Sequence, residues 1–203
     1  MIRILSIFTF LCGVSDFCYS QVLSYRQDIT KYRSDNWKSL IADPRTTLLA
    51  KDSLYLDYYK IKESNKVYCT VERITNLVEI EMPTYSGKIK SFRKYALLHF
   101  TWRGKPLVLT AYQNLQQLSS PLYKEYLFIP FKDKTTDKST YGGGRYIDIK
   151  TGQIQADHLI LDLNQVYNPW CAYSDGYNCP IPPTENFLPV ALKAGEKKFR
   201  KSH

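Results

Sequence analysis

The chain has 203 residues and a formal charge of +9, from 28 Lys+Arg against 19 Asp+Glu. Its 44% hydrophobic and 23% charged residues are an ordinary globular mix, which excludes a disordered, collagen-like or coiled-coil chain. A mean hydropathy of −0.36 excludes a polytopic membrane protein, and the length suits one domain whose core needs no staples.

Residues 1–20 read as a signal peptide. Arg3 gives the positive n-region, and residues 4–14 are an apolar stretch long enough for an h-region but too short to span a bilayer. Cys18-Tyr19-Ser20 places small residues at −3 and −1 of a cut before Gln21. Leu11 before Cys12 and Phe17 before Cys18 make no lipobox. The expectation is an exported chain, periplasmic or extracellular, with no membrane span after cleavage. Cys69, Cys171 and Cys179 remain, and an oxidising compartment favours a Cys171–Cys179 disulfide. Cys69 alternates with Val67 and Val71 and reads as a small buried hydrophobe.

Next comes a helical segment, 21–56. Ile29, Tyr32, Trp37, Leu40 and Ile41 fall at helical spacing within 22–42. Asp43-Pro44 ends that helix, because a residue before proline is pushed out of the α region. A short second helix or turn is expected around 52–56. Residues 57–192 read as a β domain. Val67, Cys69 and Val71 mark one alternating run, Val78, Ile80 and Met82 a second, and Ala96, Leu98, Phe100 and Trp102 a third. Arg103-Gly104-Lys105 then turns the chain into a return strand, 106–112. Further strands are expected at 125–131, 145–149, 158–163 and 188–192. Short strands in series predict an antiparallel sandwich or partly closed barrel, with the N-terminal helix packed on it. Residues 193–203 carry Lys193, Lys197, Lys198, Arg200 and Lys201 against Glu196 and read as a basic C-terminal tail.

Residues 131–196 hold the unusual chemistry. They include Thr140-Tyr141-Gly142-Gly143-Gly144-Arg145-Tyr146-Ile147-Asp148, then Leu161-Asp162-Leu163-Asn164-Gln165-Val166-Tyr167-Asn168-Pro169. Cys179-Pro180-Ile181-Pro182-Pro183-Thr184-Glu185-Asn186 and Ala194-Gly195-Glu196-Lys197 follow. This pattern resembles the bacterial and archaeal domain-of-unknown-function family 1684. Trp170 stands where the family has its second proline, Thr184 where it has its third, and Phe187 where an arginine usually follows Glu-Asn. The resemblance implies a fold group and no catalytic residue, since the family has no assigned activity.

The same residues carry a chemical reading of their own. Three successive glycines suit a tight turn or a nest of N–H groups for an anion. No Gly-Lys-Ser/Thr follows, so this is not a phosphate loop. On the strand after it, Arg145 and Ile147 face one way and Tyr146 and Asp148 the other. Asp162 and Asn164 share a face and suit a cap on the turn at Tyr167-Asn168-Pro169. Arg145, Asp162 and Glu185 form a candidate charge-assisted network, which would either lock the loops or line a pocket. The candidate binding residues are thus Arg145, Tyr146, Asp162, Asn164, Tyr167, Asn168, Glu185 and Asn186.

His99, His158 and His203 have no metal-ligand spacing, so neither a metal nor a cofactor is expected. Cys171 and Cys179 are not a CxxC pair, and no G-x-S-x-G elbow exists. The basic balance brings nucleic acid to mind, but no aromatic-basic RNA motif or recognition helix appears and export argues against it. Three functional expectations follow. The first is an exported β domain that binds a small ligand, glycan, envelope polymer or partner through the 131–186 loops without catalysis. The second is a hydrolase using Arg145 with the Asp162 and Glu185 carboxylates, which requires those groups to converge in an open cleft. The third is that the loops are purely structural.

Overall fold

The computed structural model describes residues 12–76 and 78–201, with side chains from Leu23 onward. Residues 1–11 of the expected leader lie outside it, and residues 12–20 form the first turns of helix α1 (Cys12–Ala42). The helix stops where Asp43-Pro44 requires. A 3-10 turn at Ala50–Tyr55 follows, in which the Asp52 carboxylate accepts the Leu49 N–H at 2.9 Å.

The rest is one curled, mostly antiparallel sheet of eight strands: β1 (Lys66–Arg73), β2 (Glu79–Pro83), β3 (Ile89–Trp102), β4 (Lys105–Asn114), β5 (Tyr126–Asp133), β6 (Arg145–Lys150), β7 (His158–Asp162) and β8 (Phe187–Leu188). The spatial order is β6-β5-β4-β3-β1-β7, with β2 added to β3 and β8 parallel to β5. Of the two architectures expected, the partly closed barrel is the observed one: a half-barrel with the helix packed on it.

Alternation decides what the concave face buries. Val67, Cys69 and Val71 of β1, Ala96, Leu98, Phe100 and Trp102 of β3, and Ile147 and Ile149 of β6 all point into one core. Burial pushes the Cys69 thiol up to about 12, which leaves it inert. The register slips between Lys94 and Ala96, where β3 is bulged against β4. A bulge shifts the period-two pattern by one residue. Phe92 therefore turns to the other face and joins Met82 and Tyr112 in a second cluster, with Phe128 packed on it.

The expected strand over 188–192 shortens to β8. Pro189 has no N–H to continue the ladder, and the chain instead crosses the half-barrel. Leu188, Val190, Leu192 and Ala194 are buried in its core. The pairing of β4 with β5 is reduced to Tyr112 opposite Phe128, and a side chain bridges the gap that this leaves. The Asn186 amide accepts the Thr110 N–H at 2.8 Å and donates to the carbonyls of Thr110 (2.9 Å) and Pro130 (2.7 Å).

The basic segment is not a free tail. Among its described residues, Glu196 donates its N–H to the Val166 carbonyl, Lys197 to Asp57 and Arg200 to Tyr55. Lys197 also pairs with Asp57, and Lys201 with Asp52. Among the described residues no helix is long and apolar enough to cross a membrane.

Candidate functional site

The sequence grouped Arg145, Asp162 and Glu185, but the fold separates them. Arg145 is 1% exposed and its carboxylate partner is Asp133, at 2.6 Å. Its remaining N–H groups reach the carbonyls of Leu192 (2.9 Å), Ala194 (2.6 Å) and Glu196 (3.0 Å). Arg145 thus clamps the segment that fills the half-barrel. The glycine turn before it serves packing: Gly144 has φ +91, and a Cβ there would stand 2.7 Å from both the Phe131 carbonyl and Pro182.

Asp162 and Asn164 form a second cluster, under α1. Tyr25 donates its hydroxyl to Asp162 (2.7 Å), and the Asn164 N–H caps the same carboxylate (3.0 Å). The Asn164 amide bonds Lys62, Asn65 and Tyr25. Glu185 lies elsewhere, between Lys94 (2.8 Å) and the Tyr112 hydroxyl (2.5 Å). The three charged groups therefore share no cleft.

The other face of β6 carries more open chemistry. Tyr146 and Asp148 point away from the core, as the alternation predicts. Tyr146 donates to the Pro180 carbonyl, and Tyr167 donates to Asp148 at 2.5 Å. Helix α1 spans this region, with Trp37 and Leu40 packed among Ala172, Tyr173 and Tyr177. Cys171 and Cys179 are paired as a disulfide with Cα atoms 6.2 Å apart, which ties this loop to itself. Between helix, β6 and loop lies a cavity of about 490 Å³. Tyr32, Tyr58 and Trp170 line it, with Asp148, Asn168 and Glu196 among its polar groups. A second cavity of about 490 Å³ adjoins it, sharing Asp148, Tyr167 and Trp170 and running toward Phe92 and Cys179.

The polar groups here are less fully matched than those around Arg145. Glu196 is 2% exposed. It accepts the Tyr173 hydroxyl (2.5 Å) and the Asn168 N–H (3.0 Å), but neither donor is a cation. Burial pushes its carboxyl up to about 7, against the pull of those bonds and of Arg33 and Arg145 nearby. Burial likewise pushes Asp148 up to about 6, against the pull of the Tyr167 hydroxyl. Asn168 donates to the Lys197 carbonyl at 2.7 Å, while its buried Oδ1 has no partner among the described residues. Tyr167 and Tyr173, both buried, are held well above the ordinary phenol value. Among the described residues no three His, Cys, Asp or Glu side chains gather as metal ligands do.

Of the eight candidate residues, Tyr167 and Asn168 line this cavity, Tyr146 lines its neighbour, and Arg145, Asp162, Asn164, Glu185 and Asn186 hold structure together. Asp148 and Glu196 line the cavity and were not among the sequence candidates. Asp148 had a visible signal, an acid beside Tyr146 on the non-core face of a strand. Glu196 had one only in the Ala-Gly-Glu-Lys pattern, and the surrounding lysines made it look like part of a solvated tail.

A family model described as a protein of unknown function, DUF1684, matches residues 54–197. The chain belongs to this family. The matched span contains Asp148, Asn168 and Glu196, whereas α1, the cavity's other wall, precedes it. An uncharacterised protein of Haloarcula marismortui, solved by solution NMR, shares the fold with a TM-score of 0.65. It is 26% identical, and the similarity covers 88% of this chain and 96% of the archaeal one. No curated protein matches the chain.

Proposed function

We propose that this DUF1684 protein is an exported, non-catalytic binding domain whose small ligand sits in the cavity between α1, β6 and the 167–173 loop. One observation carries the reading: an aromatic-walled cavity of about 490 Å³ on which a few polar groups converge. That is the usual form of a small-molecule site. The loops named from the sequence contribute Tyr167, Asn168, Trp170 and Tyr173 to it. Support for export comes from the leader-like residues 1–20 and from a paired Cys171 and Cys179, which suits an oxidising compartment. No observation favours the hydrolase built on Arg145, Asp162 and Glu185.

A thermal-shift screen of the purified protein against amino acids, sugars and organic ions tests the reading. Asn36→Trp fills the cavity from the helix side, where Asn36 is only partly buried. A stabilising ligand is expected for the wild type and lost in that variant. A ligand shift unchanged by Asn36→Trp, or no shift at all, would sink the proposal. Sequencing the N-terminus of the exported protein should find Gln21 first.

A further inference from the structure

We infer that the ligand of this cavity is a small organic cation, an amine or a quaternary ammonium; the inference rests on the cavity being a binding site.

Three independent features of the cavity agree. The first is the sign of its polar groups. Asp148 and Glu196 bring two carboxyls, and the buried Asn168 Oδ1 is an acceptor with no donor among the described residues. Asn168 is 1% exposed, so bulk water does not satisfy that oxygen. A buried acceptor without a donor adds to the negative potential around the cavity, which a positive charge there offsets.

The second is that no cation among the described residues is bonded to the acids, although Arg33 and Arg145 lie near Glu196. Among the described residues neither Asp148 nor Glu196 forms an ion pair, in a chain with nine more cations than anions. The nearby cations are engaged elsewhere. Arg145 is bound to Asp133 and three carbonyls. Arg33 lies 4.2 Å over the Tyr58 ring and donates to the Asn164 carbonyl at 3.3 Å; its buried Nε–H has no partner among the described residues. Lys197 pairs with Asp57. Lys150, at the rim, lies 5.3 Å over the Tyr126 ring. A buried carboxylate gains from a cation brought beside it, through charge alone for a quaternary ammonium and through hydrogen bonds as well for an amine.

The third is the wall. Tyr32, Trp37, Tyr58, Tyr167, Trp170 and Tyr173 surround the space. The faces of such rings attract positive charge, and aromatic cages are a recurrent solution for binding ammonium groups. A neutral sugar would leave the carboxyls without a counter-charge, and an anion would be repelled by them.

Calorimetric titration of the full chain at constant ionic strength tests this. The probes are tetramethylammonium and 1,4-diaminobutane, each beside a neutral isostere, tert-butanol and 1,4-butanediol. At least one cation should bind about tenfold tighter than its isostere, and Asp148→Asn and Glu196→Gln should each weaken it about tenfold. Wild-type affinity should rise by a similar factor from pH 5 to pH 8, as the two carboxyls ionise among Arg33, Lys150 and the phenols of Tyr32, Tyr58, Tyr167 and Tyr173. That profile needs no variant and holds the test even where Glu196→Gln fails to fold. An isostere that binds as well as its cation overturns the inference, as does cation binding indifferent to both pH and Asp148→Asn. Failure of both cations while a neutral compound binds in a way Asn36→Trp abolishes overturns the cation alone and keeps the cavity. Failure of every compound removes both readings.

Discussion

The two faces of β6 treat charge in opposite ways. On the concave face Arg145 is wholly buried, and its guanidinium meets one carboxylate and three carbonyls. On the other face Asp148 meets only the Tyr167 hydroxyl, and across the same cavity Glu196 of the crossing segment meets only a hydroxyl and an N–H. Buried charge that is fully matched fixes a structure, whereas buried charge that is partly matched is available to a ligand. The one-residue alternation of a strand thus puts architecture on one face and chemistry on the other.

Breaking the matched side should have the largest effect. Arg145→Met leaves Asp133 buried and uncompensated and frees the 192–196 carbonyls, at a cost of about 3–5 kcal/mol. Urea unfolding measures it, and proteolysis should newly cut residues 188–201. A loss below about 1 kcal/mol would mean the clamp is ornamental.

The open side should announce itself through pH. The folded protein holds the Glu196 proton to about pH 7, against an ordinary 4.5 in the unfolded chain. Between those values the native state binds more protons, so stability falls as pH rises, by on the order of 3 kcal/mol. Thermal melts should therefore be higher at pH 5 than at pH 8. Asp148, pushed up to about 6, adds to the slope in the same direction. Glu196→Gln should flatten most of it, and a slope unchanged in that variant would contradict the assignment.

Asn186→Ala opens the gap between β4 and β5 and leaves buried Thr110 and Pro130 groups unpaired, for about 2–3 kcal/mol. Equilibrium unfolding reads this, and amide exchange at Thr110 should accelerate. The smallest effect belongs to the partly exposed Lys94–Glu185 pair. Lys94→Ala should cost under about 1 kcal/mol and lose that little in high salt.

The sequence was most informative where one local rule governed the outcome. Period-two runs predicted β1 and β3 with the correct inward residues and sorted Arg145 and Ile147 from Tyr146 and Asp148 on β6, and Asp43-Pro44 fixed the end of α1. Assignments that depended on distant partners were not legible. Nothing local tells that Arg145 meets Asp133 rather than Asp162, because the 134–144 connection intervenes in the one case and the width of the sheet in the other. The basic run 193–203 concealed Glu196 for the same reason: its burial depends on Tyr173, Asn168 and the half-barrel, not on its neighbours. Asn186 was picked out as a candidate binder, since an amide that completes a sheet looks no different in sequence from one that binds a ligand.

The crossing segment also sets an order of assembly. Four core residues, Leu188, Val190, Leu192 and Ala194, are contributed after every long strand has been made. A growing polypeptide that has not yet released these residues from the ribosome holds a sheet with its apolar face uncovered. Closure is then a late event governed by contacts distant in sequence, which fold slowly. Such a chain keeps its core open on one side until synthesis has passed Glu196.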